Sequence, residues 1–198
     1  MQRRTTYHHG NLYDALLDAA VRLIAEVGPK AFTLREVARR ARVSHNAPYR
    51  HFQDKDELLA AVAKQGFEEL TKAMLEAAES PNSALDRLKS AGLAYVAFAL
   101  RRPEHFAVMF ETSPFESANS ESTLAAKESF HALLAFVQDC QNEGQLPSGD
   151  PPRLALLAWS MVHGIAKLAI TGCLPYRSNA QILKFAKFVI DHSLPVCR

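Results

Sequence analysis

Apolar residues in this chain return every three or four positions, and that period governs nearly its whole length. Leu12, Leu16, Ala19, Ala20, Leu23 and Val27 form one such stripe, while Asp14, Asp18, Arg22 and Glu26 step by four along another face. No stretch alternates apolar and polar residues as a half-buried strand does. Amphipathic helices must bury their stripes against one another, so the pattern predicts an all-α fold. With 48% apolar and 22% charged residues, the chain has the composition of a folded protein, which excludes disorder for most of it. The longest run without Lys, Arg, Asp or Glu covers residues 154–166, short of the roughly 20 apolar residues that span a membrane, so no spanning helix is expected. The basic start is followed by no apolar stretch of the secretory type. Three cysteines without CxxC spacing fit a reducing cytoplasm, and Cys140 and Cys173 are expected to be small buried hydrophobes. No glycine cluster builds a nucleotide-phosphate loop.

Punctuation divides the pattern into about nine helices. Asn11 is placed to cap the first, and Gly28-Pro29 stops it. Thr33 to Glu36 reads as a capping box that opens a short helix. The three residues Arg42, Val43 and Ser44 separate it from a second short helix, predicted over 44–51. Asp54, Asp56 and Glu57 start a long helix to about residue 79. Further helices are predicted over 83–102, 104–110, 121–143, 151–172 and 178–192, with loops at 111–120 and 146–150.

Charge is unequal along this plan. Residues 1–55 hold ten Lys or Arg against five Asp or Glu, whereas residues 56–198 hold thirteen against sixteen. A basic head on an acidic body points to an anionic partner for the head. Two short helices joined by a three-residue turn fit a helix-turn-helix, whose second helix enters the major groove of DNA. Asn46 suits adenine and Arg50 suits guanine, while the Ala47 methyl or the Pro48 ring suits a thymine methyl. Thr33, Ser44 and Tyr49 offer hydroxyls to phosphate, and Lys55 adds charge at a helix start. Arg35, Arg42, His45 and His51 complete the expected DNA-facing set. The His8-His9 pair lacks a third ligand, so it is read as an arm near the DNA backbone, and no metal or cofactor is expected.

The run from Phe32 to Ala41, then Val43-Ser44, Tyr49-Arg50-His51-Phe52 and Asp54 to Leu59 closely resembles the DNA-binding domain of the tetracycline-repressor (TetR) family. Tyr7 to Leu12 resembles the opening of one branch of it, and Trp159 to Gly164 resembles that branch's Trp-His-Gly signature. The resemblance implies a homodimeric, ligand-responsive regulator, usually a repressor, that binds a palindromic operator in double-stranded DNA. It further implies dimerisation through the last two helices and an effector among the middle ones. Two positions depart from the pattern: Arg42 stands where the family usually has Gly, and Tyr13 where the branch usually has a basic residue.

Residues 1–55 are therefore expected to be the DNA-binding domain, and 56–198 the effector-binding and dimerisation domain. Apolar Leu154, Leu157, Ile165, Leu168, Ile182, Phe185 and Val189 are expected to supply the dimer contact. Phe67, Tyr95, Phe98 and Phe106 from the middle helices, with Phe130, Trp159 and His163, are expected to line an effector cavity of roughly 300 Å³ or more. The expected ligand is a mainly apolar small molecule held by one or two polar groups, Tyr95 and His163 first. His105 and His131 are further possible contacts, and the same aromatics would equally fill a solid core. Two other readings stand beside the regulator: an all-helical enzyme, disfavoured by the lack of any HExxH or GxSxG motif, and a binding protein without DNA, which leaves the basic hairpin unexplained.

Overall fold

Eight α-helices and one turn of 3₁₀ helix, with no strand, make up the computed structural model over its described residues, 9–80, 82–111 and 120–194. Helix α1 (His9–Val27) ends where Gly28 turns left-handed at φ +79°. It already runs at His9, so Asn11 lies inside the helix rather than at its cap. Of the expected His8-His9 arm, His8 lies outside the described residues and His9 is the first residue of α1. Helix α2 (Leu34–Arg40) opens on the predicted box: Thr33 Oγ1 accepts the Glu36 N–H at 3.3 Å, and the Glu36 carboxylate accepts the Thr33 N–H at 2.8 Å. Helix α3 (Lys55–Ala78) is capped by Asp54, which accepts the Glu57 N–H at 2.9 Å. Its 24 residues reach about 36 Å.

Helix α4 (Ala84–Arg101) is capped by Ser83 and stops just before Pro103, which opens α5 (Pro103–Glu111). Helix α6 (Glu121–Asn142) ends at a left-handed Gly144, with the Gln145 N–H returning to the Cys140 carbonyl at 2.8 Å. Helix α7 (Pro151–Ile170) starts on two prolines, and α8 (Asn179–Ser193) on a second capping box, between Ser178 and Gln181.

Helix α3 joins the two parts. Its start packs on α1, and the rest of its length is enclosed by α4, α5 and α6. Leu16, Val37, Phe52 and Leu58 under the head are buried in the same continuous core as Leu70, Phe98, Phe106 and Val137 in the body. The α3–α5 crossing is close, since a Cβ on Gly66 would stand 2.5 Å from Met109 Sδ and 3.2 Å from His105 Cβ.

Three expectations need correction. The second short helix is not α-helical: only Pro48–Arg50 is regular, and it is 3₁₀. Pro48 has no N–H to give the Ser44 carbonyl, which instead takes the Ala47 N–H at 2.9 Å and tightens the turn. Cys173 is exposed, whereas Cys140 is buried as expected, and burial pushes its thiol up to about 11. Finally, α7 is long and apolar enough to cross a membrane by length and composition alone. Counting uncharged runs missed it because Arg153 and Lys167, near the helix ends, interrupt the count.

Candidate nucleic-acid interface and effector cavity

The turn after α2 presents a compact polar face. Ser44, His45, Asn46, Tyr49 and Arg50 are all exposed, and Tyr49 keeps 52% of its surface open. Arg35 and Arg42 flank them, also exposed. None of Arg35, Arg42 and Arg50 is ion-paired with another described residue. Arg40 differs: its guanidinium grips both oxygens of the Glu26 carboxylate, with Nη1 to Oε1 at 2.6 Å, and so clamps α2 to α1. Arg42 carries the turn in the left-handed region at φ +57°, the conformation that glycine takes most easily.

Other members of the expected set are drawn inward. Ala47 is 7% exposed, so its methyl has almost no surface to show a base, and Pro48 beneath it is buried too. Half-buried His51 has its ring edge-on to Tyr13 at 5.9 Å, and Tyr13 lies 5.3 Å from Phe52. Tyr13 thus serves the head's packing, a role its sequence position did not signal. Half-buried Lys55 donates to the Lys30 carbonyl at 2.9 Å and rides 5.4 Å above the Phe32 ring, tying the start of α3 to the loop after α1. Thr33 Oγ1 is occupied by the α2 cap.

A second feature lies in the body. Helices α3, α4, α6 and α7 enclose an apolar cavity of about 60 Å³, with Phe110 of α5 and Ile190 of α8 at its borders. It is smaller than the roughly 300 Å³ expected, so a drug-sized ligand requires its walls to part. Phe67, Tyr95, Phe130 and Trp159 line it as expected. Phe98 and Phe106 do not; both are 1% exposed and serve the core. His105 is buried away from the cavity against α3, and His131 is exposed.

His163 stands one layer behind the cavity wall. Its Nδ1 lies 2.8 Å from Tyr95 Oη, and Trp159 Nε1–H donates to the same oxygen at 3.1 Å. Indole only donates, and among the described residues His163 Nδ1 is the acceptor within reach of the Tyr95 proton; with the imidazole proton on Nε2, the tautomer that leaves no buried hydroxyl proton unpaired, the Tyr95 O–H donates to His163 Nδ1. Burial, with Lys167 adding to it, holds the His163 pKa below the usual imidazole value and keeps the ring neutral. Burial likewise drives the Tyr95 hydroxyl pKa upward, so it stays protonated. The His163 ring stacks on Phe106 at 5.3 Å, which links the triad to α5. The residues expected to anchor a polar ligand group therefore bond each other.

Comparison with known proteins agrees with this architecture. The family model for the tetracyclin repressor-like C-terminal domain matches residues 88–192, and that for the N-terminal domain of bacterial regulatory proteins of the tetR family matches residues 16–62. A curated HTH-type transcriptional repressor of Mycobacterium tuberculosis is 40% identical over 73 residues, which is 37% of this chain and 38% of that protein. This chain thus spans about two fifths of the length of the curated relatives it matches. A solved protein of unknown function from Rhodococcus sp. RHA1 is 35% identical, with a TM-score of 0.82 over 97% of this chain and 100% of that one. AibR, solved in complex with isovaleryl coenzyme A and operator DNA, shares the fold at 20% identity and a TM-score of 0.72, over 94% of this chain and 100% of its own. With both domain models in chain order on an all-helical fold of this shape, the chain belongs to the TetR family.

Proposed function

We propose that this chain is a homodimeric DNA-binding transcriptional regulator, a repressor released from a palindromic operator by a small, mainly apolar ligand. One observation carries the reading: the exposed turn with its unpaired cations leads directly into the start of α3, and the second half of the same helix lines the apolar cavity through Phe67, Leu70 and Met74. The head is residues 1–55 and the body 56–198. A ligand favouring one placement of α3 changes operator affinity through the head it carries. The relation to AibR, which binds both an acyl-CoA and operator DNA, supports the pairing of the two sites. Trp159 and His163 meeting on Tyr95 supports placement in the Trp-His-Gly branch. Both matching domain models are those of transcriptional regulators, and on that ground we read the protein as a regulator and not an enzyme.

The dimer is read from the uncovered face of α7 and α8. Leu156, Leu157, Leu168 and Phe188 are each about half exposed or more. Gly164 shares the face with Leu157 and Leu168, and a Cβ there would meet nothing within 4 Å, leaving room for a second helix to approach. Ile165 and Ile182 point into their own chain instead, and Leu154, Phe185 and Val189 are half-buried. A partner on this face also accounts for the apolarity of α7 without a membrane, in keeping with a cytoplasmic regulator.

Titration of selected operator DNA at several salt concentrations tests the reading. Affinity should fall steeply, each phosphate contact adding roughly −0.9 to the log–log slope. Asn46→Ala and Arg50→Ala should each relax base preference by about 1–3 kcal/mol. Unchanged preference in both variants would refute the assignment of the reading turn.

A further inference from the structure

We propose that the part of the effector entering the α3–α4–α6–α7 cavity is a bare hydrocarbon group, alkyl or cycloalkyl, that carries no hydroxyl, amide or charge. The inference rests on the reading of this cavity as the effector site. Its basis is where the polar atoms of the wall are spent. Among the described residues that line the cavity none is charged, and only Tyr95, Ser129 and Trp159 carry a side-chain nitrogen or oxygen. The Trp159 N–H is given to Tyr95, and the Tyr95 proton to His163. Ser129 Oγ and Thr71 Oγ1 are hydrogen-bonded to each other, and each lies within reach of the Phe67 carbonyl, at 3.2 and 2.9 Å; one hydroxyl donates to the other and the second to that carbonyl, so both protons are used. The donors of the wall are thus already engaged, by partners in the wall or directly behind it. A polar group brought in loses its water and finds no free donor, which lowers affinity roughly 10- to 100-fold against an apolar isostere. The present volume of about 60 Å³ suits a short or branched alkyl end, and any polar remainder of the ligand stays outside.

The chain supplies its own probe, because its one tryptophan is Trp159 on the cavity wall. Methylcyclopentane and cyclopentanol differ by a methyl in place of a hydroxyl. Titrated against the full-length protein and followed by Trp159 fluorescence, methylcyclopentane should bind at least tenfold tighter. His163→Leu removes the acceptor of the Tyr95 proton and keeps the tryptophan, so the freed O–H should admit cyclopentanol and narrow the ratio about tenfold. Equal or tighter binding of cyclopentanol to the wild type overturns the inference. So does silence of Trp159 toward both probes, or an unchanged ratio in a folded His163→Leu. The wild-type pair decides even if that variant does not fold. Methylcyclopentane that binds without moving operator affinity leaves this inference standing and defeats the regulatory reading instead.

Discussion

Arg42 holds a backbone conformation that costs a side-chain-bearing residue about 1–2 kcal/mol, and it does so in the turn that aims the residues proposed to face DNA. Arg42→Gly removes that strain but adds roughly 0.4–1 kcal/mol of unfolded-state entropy. Urea unfolding should show a net gain of about 0.5–1 kcal/mol. The same variant should lower the salt slope of DNA binding by roughly 0.9, because one cation leaves the interface. His105 is a different kind of strained residue. It is 3% exposed, its Nδ1 has no hydrogen-bond partner, and its Nε2 is 3.5 Å from Gln65 Oε1. Burial holds its pKa below the ordinary value, Arg102 lowers it further, and Glu69, Glu104 and Asp18 oppose the shift. The unfolded chain therefore takes the proton first as pH falls. The neutral-ring stability is whole above about pH 6.5 and declines below it, with a slope of at most ~1.4 kcal/mol per pH unit for each such group. His163 follows the same sign. Thermal melts between pH 7 and 5 should show this decline, and His105→Gln should flatten it by one proton's share.

Elements meet here by shape more than by charge. Helix α5 lies against α3 because Gly66 leaves a gap that Met109 fills completely, Met109 being fully buried. Gly66→Ala gains helix propensity of about 1 kcal/mol, yet its methyl would collide with a thioether that cannot swing out to solvent. The expected net cost is about 1–2 kcal/mol, read as a lower midpoint in urea. Because His105 and Met109 share this crossing while Phe106 stacks on His163, shifting α5 should also disturb the cavity triad. A blue- or red-shifted Trp159 emission in Gly66→Ala would register that coupling, and unchanged emission would show the two to be independent.

At the scale of the whole molecule, α3 belongs to both parts, so head and body share one core. That arrangement suits the proposed head of 55 residues, a size that is marginal alone. The proposed dimer uses the uncovered face of α7 and α8. Leu157→Glu together with Phe188→Glu should yield a monomer by light scattering and weaken operator binding, since two linked half-sites are then no longer engaged together. A dimer persisting in that double variant would place the interface elsewhere.

The sequence by itself determined the eight α-helices and most of their ends, the start of α1 excepted. Capping boxes at Thr33 and Ser178, the Asp54 and Ser83 caps and the glycine stop at Gly144 act within a few residues, so reading them needs no knowledge of distant neighbours. The basic head and the exposed Asn46 and Arg50 were legible for the same reason. What only the tertiary structure decided lies across helices. Pro48 could be read as tolerable in a first turn, but the tightening to 3₁₀ and the burial of Ala47 come from how that turn sits on the head. Helical spacing marked Phe67, Phe98, Phe106 and Phe130 alike as apolar, and packing alone sent Phe98 and Phe106 to the core and the others to the cavity wall. Tyr95 meets Trp159 and His163 from 64 and 68 residues away, and no local pattern encodes that its hydroxyl is already spent between them. A helix's period fixes which residues face inward together, whereas which atom they meet there depends on the neighbouring helix that covers them.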